Sequence, residues 1–136
     1  MDAISLIKRL HQHRAWANDR LQAAAAQLDN EKLRATFQIG QGSVWKSLMH
    51  MLAAEYVWLE TLLGNEQGLF PGDAPGMIPG NQQGAGGIKD LAELREKWKA
   101  QEERWKAYLD GLSPADLPRP VEIVPSDGTS LRRALA

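Results

Sequence analysis

The fold of this chain is decided by the stretch SVWKSLMHMLAAEYVWLETLLG, residues 43 to 64. Ser43 can cap the first turn of a helix, because its side-chain oxygen can accept hydrogen bonds from free backbone N–H groups. Gly64 can end the helix, since glycine enters the left-handed conformation without a steric penalty. Neither glycine nor proline interrupts the residues between these two positions. The stretch therefore predicts one long helix over residues 43–63.

Apolar side chains cover most of the circumference of this predicted helix. One face carries apolar residues at helical spacing: Val44, Leu48, Met51, Leu52, Leu59 and Leu62. The other side is only weakly polar, with Ala53, Ala54 and Val57. Because such a helix is normally surrounded by other helices, we expect it to be the central element of a helical domain. His50 lies near its middle, and Glu55 follows five residues later.

The size and composition are those of one soluble domain. The chain has 136 residues, 43% of them hydrophobic and 24% charged, which is enough for a single core. A net charge of −1 gives no electrostatic footprint for nucleic acid or an anionic membrane. Cysteine is absent, which excludes disulfides, thiolate metal sites and cysteine nucleophiles and fits a cytoplasmic protein. The sequence shows neither a signal peptide nor a membrane-spanning apolar run.

Two further long helices are predicted, one on each side of the central helix in the sequence. The first covers residues 2–28, and its apolar stripe is expected to face the core. The stripe consists of Leu6, Leu10, Ala17, Leu21, Ala24 and Leu28. The second covers residues 88–112, with Leu91, Leu94, Trp98, Trp105, Leu109 and Leu112 on one face. His11 and His13 lie two residues apart in the first helix, so they cannot both face one metal.

The remaining segments predict connections and a final element. Residues 65–87 are rich in glycine and proline, which favours a flexible crossover. They contain neither of the phosphate-binding patterns GxxxxGK[ST] and GxGxxG. Alternation over 121–123 and the turn signal Ser126-Asp127-Gly128 predict a small hairpin or an extended crossover near 119–130. Ser130 can then cap a helix over about 130–136. We interpret this segment as the start of a fourth helix that the chain does not complete.

Several segments together resemble one protein family. They are WANDRL at 16–21, the pattern S-x(6)-H-x(4)-E-x-x-W-L from Ser43 to Leu59, the Leu63-Gly64 stop and SDGT at 126–129. In their order and spacing, over nearly the whole chain, they resemble the DinB-like (DinB/YfiT) family of metalloenzymes. The resemblance implies one all-α domain over residues 1–136, a four-helix bundle with long crossover loops. The fourth helix would be largely missing from this chain.

The resemblance also implies a divalent metal of the zinc or nickel class, held by three histidines. One ligand comes from the second long helix and corresponds here to His50. The other two come from an HxxxH pair on the last long helix, whereas the sequence holds no histidine after His50. The chain could be a fragment of a longer protein, a natural truncation without the site, or one half of a homodimer that combines two partial subunits. A homodimer is also what the family resemblance implies.

The residues themselves leave two roles open for each polar group of the central helix. An imidazole in a bundle core suits a first-row metal, but a single core histidine can equally be structural. The side of the helix around His50 is small or polar, which suits a cavity wall: Ser43, Ser47, Ala54, Val57 and Thr61. Glu55 points into the apolar face, where it can pair with Arg14 or act as a general base. His50 and Glu55 are about 140° apart around the helix, so we do not expect one ion to bind both.

Two functions are therefore predicted. The first, which the family resemblance implies, is a divalent-metal-dependent enzyme, a hydrolase or a thiol-dependent transferase acting on a small molecule, with His50 as a metal ligand and Glu55 as a candidate catalytic residue. The alternative is a non-catalytic helical module that dimerises or binds a ligand through an uncovered apolar face. Neither function involves nucleic acid or a membrane.

Overall fold

Helices make up most of the fold. The computed structural model describes residues 1–65, 68–123 and 131–134, with the backbone alone for residues 123 and 131–134. This part of the chain contains the helices α1 (Ala3–Ala25), α2 (Asn30–Arg34), α3 (Val44–Leu62) and α4 (Leu91–Asp110). A short 3₁₀ turn at Pro114–Asp116 precedes two strands, β1 (Pro120–Ile123) and β2 (Leu131–Ala134). The predicted all-α class is confirmed, with one small hairpin added to it.

The helix boundaries follow from local chemistry. Ser43 caps α3 by accepting a hydrogen bond from the N–H of Lys46 at 3.0 Å, as its position in the sequence predicts. Asp90 caps α4 in the same way, through the N–H of Glu93 at 2.8 Å. Gly64, with φ of 87°, lies just beyond the end of α3 in the left-handed conformation that glycine tolerates. The predicted helix over residues 43–63 is therefore confirmed to within a residue.

The core lies between α3 and α4. Its fully buried side chains are Leu48, Met49, Leu52, Leu59, Leu94 and Trp98. Two residues of the α3–α4 connection, Phe70 and Ile88, join the same cluster and so attach both ends of that connection to the core. Trp45, Trp98 and Trp105 are buried, whereas Trp16 and Trp58 are 56% and 50% exposed.

Helix α1 packs on a different face from the one predicted. The leucine stripe, defined as Leu6, Leu10 and Leu21 with Leu28 beyond the helix end, is 37–60% exposed. The buried residues of α1 are instead Asn18, Gln22 and Ala25, roughly a quarter of a turn away at about 100° per residue. Polar contacts explain this orientation, because Arg14 and Asn18 reach carboxylates on α3 and α4. The expectation that the stripe faces the core is therefore wrong for the described residues.

Residues 131–134 are extended and not helical. Strand β2 pairs antiparallel with β1, with Pro120 opposite Ala134 and Ile123 opposite Leu131. The prediction of a fourth helix starting at about 130–136 is therefore wrong for residues 131–134. Strand pairing gives the backbone of these residues hydrogen-bond partners at once, whereas a helix of two turns is marginal because nucleation is costly. Of the hairpin or extended crossover predicted near 119–130, the structure shows strand β1, whose partner β2 lies beyond the predicted range. The turn signal at 126–128 lies outside the described residues.

Candidate functional site

His50 lies in the middle of α3 and is half-buried beneath the connection between α3 and α4. Its Nδ1 is 2.6 Å from the carbonyl oxygen of Pro79. Because a carbonyl oxygen can only accept, Nδ1 must carry the proton of this hydrogen bond. In the neutral imidazole the lone pair is then on Nε2, which has no hydrogen-bond partner among the described residues. His50 thus has the hydrogen-bonding pattern of a histidine that ligates a metal through Nε2.

The side of α3 around His50 is lined as the sequence predicts. Ser47, Ala54, Val57 and Thr61 are all half-buried, and the hydroxyl of Thr61 donates back to the carbonyl of Val57 at 2.9 Å. The sequence places small or polar groups here, so the imidazole is not enclosed by large side chains of its own helix. The described residues contain no group of three or more His, Cys, Asp or Glu side chains that could hold a metal ion. They therefore supply one suitable ligand atom and not a complete site.

A second polar centre lies at Glu55, between α1, α3 and α4. Its Oε1 accepts a hydrogen bond from Asn18 Nδ2 at 2.7 Å, and its Oε2 accepts one from the indole Nε1 of Trp98 at 2.9 Å. Arg14 lies 3.4 Å from Oε2 and forms two further bonds to Glu102, at 3.0 and 2.9 Å. The predicted pairing of Glu55 with Arg14 is therefore confirmed, and Asn18 adds a second contact from α1 to the same carboxylate.

Glu102 of α4 is the second carboxylate that Arg14 binds in this centre. Burial raises the pKa of the Glu102 carboxyl, Arg14 opposes the rise, and the nearby negative charge of Glu55 adds to it. His11 lies near the same Arg14, and its pKa is lowered, first by burial and then by the positive charge of Arg14. A groove of about 230 Å³ between α1 and α4 is lined by His11, Arg14 and Glu102. These residues thus form a network of charged groups, and one side of this network is open to solvent.

The structure keeps the predicted site residues apart. His50 faces the α3–α4 connection, whereas Glu55 faces α1 and α4, as their angular separation on the helix predicts. His11 packs against Trp105 with ring centroids 4.8 Å apart, and His13 stacks on Trp16 at 5.5 Å. In the described residues, therefore, His50 is not joined by the other two histidines of the chain.

Sequence reasoning did not single out Glu102, Pro79 or Asp73. Glu102 is one of many charged residues in α4, and nothing in its spacing distinguishes it from a solvent-exposed neighbour. Pro79 acts through its backbone carbonyl, which no side-chain pattern reveals. The segment PGDAPG at 71–76, in which Asp73 lies, has the composition of a turn and could have indicated a structured connection.

Comparison with known proteins identifies the family. The fold and the site define a helical-bundle protein with a half-buried histidine on its central helix, whose Nδ1 donates to a backbone carbonyl. Residues 13–136 match the DinB superfamily, and the chain belongs to it. Searches among curated proteins and among solved structures found no significant match. In the described residues no helix has both the length and the apolar character that crossing a membrane requires.

Proposed function

We propose that this chain is the scaffold of a divalent-metal-dependent enzyme of the DinB superfamily. The enzyme would act on a small molecule as a hydrolase or a thiol-dependent transferase, with Nε2 of His50 as one metal ligand. The observation that carries the proposal is the hydrogen bond between His50 Nδ1 and the Pro79 carbonyl, which leaves Nε2 free. Imidazole nitrogen suits zinc and nickel, the metal class that the family resemblance implies.

The metal would supply a Lewis acid and an activated water or thiol. A catalytic zinc site uses three protein ligands and keeps an open position for water or substrate. Since the sequence holds no histidine after His50, the proposal needs ligands from a second subunit or from a further segment of the protein. Glu55 is less suited to act as the general base, because Asn18, Trp98 and Arg14 already engage its carboxylate away from His50.

The proposal is tested by metal analysis of the purified protein, with and without loading by Zn²⁺ or Ni²⁺. We expect a stoichiometric divalent metal and a fall in thermal stability when a chelator removes it. His50→Gln should abolish the metal content, whereas the matched variant His13→Gln should keep it, since His13 is exposed on α1. Absence of metal together with unchanged stability in chelator would contradict the proposal.

The leucine stripe of α1 supports a second candidate function, a homodimerisation module. Lys8 and Asp19, which form ion pairs with Asp110 and Arg95 of α4, lie on the opposite side of α1 from the stripe. On α3, Trp58 lies about one helical turn after Glu55, the residue that α1 contacts, and its side chain is 50% exposed. An apolar face of this kind, uncovered by the described elements, is typical of a surface that binds another chain.

We assign this face to a second copy of the chain, because the family resemblance implies a homodimer and the stripe extends along most of α1. Burying the exposed parts of its leucines would contribute of the order of 1 kcal/mol each. Light scattering over a range of concentrations tests the assignment, and a dimer is expected. A monomer at all concentrations would contradict the second candidate, and it would restrict the first to metal ligands that come from the same polypeptide as His50.

A further inference from the structure

We propose that Asp73 is a positioning residue for His50. Through the turn that contains Pro79 and Gly80, its carboxylate holds the imidazole in the tautomer that leaves Nε2 free. This inference rests on the proposed function in one respect, because that function gives the free Nε2 of His50 its purpose, which is to bind a metal. Its central claim concerns the tautomer of His50, which can be measured without any metal.

The carboxylate of Asp73 is the hub of the connection between α3 and α4. Its side chain is buried, and its Oδ2 accepts a hydrogen bond from the N–H of Gly80 at 2.6 Å. Its Oδ1 accepts two more, from the backbone N–H of Gln82 at 2.9 Å and from Gln82 Nε2 at 2.8 Å. Bonds to an ionised acceptor are stronger than those between neutral groups, so this carboxylate holds residues 80–82 tightly around itself.

A second side chain closes the same turn from its other end. Asn81 Oδ1 accepts the N–H of Ala74 at 2.9 Å, and Asn81 Nδ2 donates to the carbonyls of Ala74 and Ile78 at 3.1 and 2.9 Å. Residues 74–81 are thus fixed by bonds from both Asp73 and Asn81. The sequence predicts a flexible crossover here, but the structure shows a turn in which specific side chains satisfy the backbone.

The turn is fixed relative to the core as well as within itself. The N–H of Asp73 donates to the carbonyl of Phe70 at 2.9 Å, and the N–H of Ile88 donates to Gln82 Oε1 at 2.8 Å. Phe70 and Ile88 are themselves part of the buried core cluster. The position of the Pro79 carbonyl is therefore determined by the core and not only by the local loop.

Gly80 brings this turn into direct contact with the backbone of His50. Its φ is 87°, and a Cβ on it would lie 2.8 Å from both N and Cα of His50. Only glycine allows so close an approach, for reasons of conformation and of space. The approach places the carbonyl of Pro79, the preceding residue, 2.6 Å from His50 Nδ1. Asp73, which binds the N–H of Gly80, thus acts on the imidazole through one peptide unit.

The competing interpretation is that Asp73 only shapes the loop and that the imidazole takes its tautomer independently. The two interpretations differ in one measurable quantity, the distribution of the ring proton between Nδ1 and Nε2. In a free neutral histidine both tautomers are populated. If Asp73 positions the turn against His50, the Nδ1–H form should be the only one detected in the wild type, and loosening the turn should restore a mixture.

The test is ¹⁵N NMR of the histidine side chains in the metal-free full chain, at about pH 8, where an ordinary imidazole is neutral. His50→Gln assigns the His50 signals, and exposed His13 is the internal reference. We expect wild-type His50 as the Nδ1–H tautomer alone and a mixture of both tautomers in Asp73→Asn. The matched control is Asp90→Asn, which should leave His50 unchanged because asparagine also caps helices well.

Two results would overturn the proposal: an Nε2–H tautomer of His50 in the wild type, or an unchanged Nδ1–H tautomer in folded Asp73→Asn. If Asp73→Asn does not fold, Asn81→Ala replaces it, because it loosens the same turn from the other end. An unchanged tautomer in that variant would equally count against the role of the turn.

A parallel titration with Zn²⁺ separates this inference from the proposed function. Zinc bound by the wild type and lost in His50→Gln, but with an Nε2–H tautomer in the metal-free protein, would overturn the positioning role alone. The Nδ1–H tautomer without zinc binding in any assembly state would overturn the metal function and leave the positioning role of Asp73 standing.

Discussion

Trp98 of α4 donates its indole N–H to the carboxylate of Glu55 on α3 at 2.9 Å, in the interior of the helix packing. Trp98 itself is 1% exposed, whereas Glu55 is half-buried, so the indole end of this hydrogen bond is shielded from water. The buried indole N–H has lost its hydration and needs an acceptor, which the Glu55 carboxylate supplies. The Glu55 carboxylate therefore acts as a fixed point to which α1 and α4 are both attached.

Replacing this carboxylate by an amide should destabilise the fold. In Glu55→Gln, one acceptor oxygen becomes an NH₂ group that faces Asn18, Trp98 or Arg14, all of which are donors. We expect a loss of about 2–4 kcal/mol in the free energy of unfolding, measured by urea denaturation. The control Glu96→Gln, at an exposed position of α4, should change it by less than about 0.5 kcal/mol. Equal effects of the two variants would contradict the role of Glu55.

The raised pKa of Glu102 predicts a specific pH dependence. A carboxyl whose folded-state pKa lies above its ordinary value of 4.5 stabilises the fold fully at lower pH and loses that contribution as pH rises through the raised value. Glu102→Gln mimics the protonated form at every pH. The stability of Glu102→Gln relative to wild type should therefore increase as pH rises from about 4.5.

This dependence is measured by urea unfolding of both proteins at a series of pH values. Glu103→Gln, at the exposed neighbouring position, is the control and should track the wild type over the same series. A relative stability of Glu102→Gln that falls with rising pH would mean that Arg14, and not burial, dominates the titration of Glu102.

Two glycines of the α3–α4 connection allow the cost of a left-handed backbone conformation to be distinguished from the cost of a steric clash. Gly76 and Gly80 have similar positive φ values, 77° and 87°, but a Cβ at Gly76 meets nothing within 4 Å whereas one at Gly80 meets the backbone of α3. Gly76→Ala should cost about 1–2 kcal/mol, the usual cost of the left-handed conformation. Gly80→Ala should cost clearly more, as measured by thermal unfolding. Similar costs would show that the turn does not press against His50.

The leucine stripe predicts a change of assembly state that leaves the fold intact. Because Leu10 and Leu21 are 60% and 44% exposed, their joint replacement by glutamine should leave the helical circular dichroism and the unfolding of the monomer nearly unchanged. If a second copy covers the stripe, the double variant should be monomeric by light scattering at concentrations where the wild type is dimeric. Leu69→Gln, at a 49% exposed leucine outside the stripe, is the control and should remain dimeric.

The sequence predicts the elements of this fold better than their packing. Caps and glycine stops are local, so Ser43 and Gly64 predict the limits of α3, whereas α4 begins at Leu91, behind the cap Asp90, three residues later than predicted. The orientation of α1 cannot, because hydrophobic periodicity identifies the leucine stripe whereas the polar contacts of Arg14 and Asn18 decide which face is buried. The pairing of Arg14 with Glu55 is predicted from the sequence, but the bonds of Arg14 to Glu102 join residues far apart in the chain, and no local pattern reveals them.

The candidate site likewise has features that the sequence predicts and others that it does not. The central position of His50 and its separation from Glu55 follow from helical geometry, and the side chains around it match the sequence prediction. The hydrogen bond from Nδ1 depends on the backbone of Pro79, 29 residues away, and could not be predicted from side-chain types. Ser130 as a cap predicts a helix over about 130–136, but residues 131–134 pair with β1 instead.

The polar attachment of α1 also fixes the axial register of this helix. Apolar contacts between leucines are not directional, so they oppose a shift along the helix axis only weakly. A shift of α1 by one turn, about 5.4 Å, would in contrast carry Arg14 away from Glu102 and Asn18 away from Glu55. The ion pairs at its two ends, Lys8 with Asp110 and Asp19 with Arg95, would separate at the same time. These polar contacts therefore fix the position of α1 along its own axis relative to α3 and α4. The position of the exposed outer surface of α1 is fixed with it.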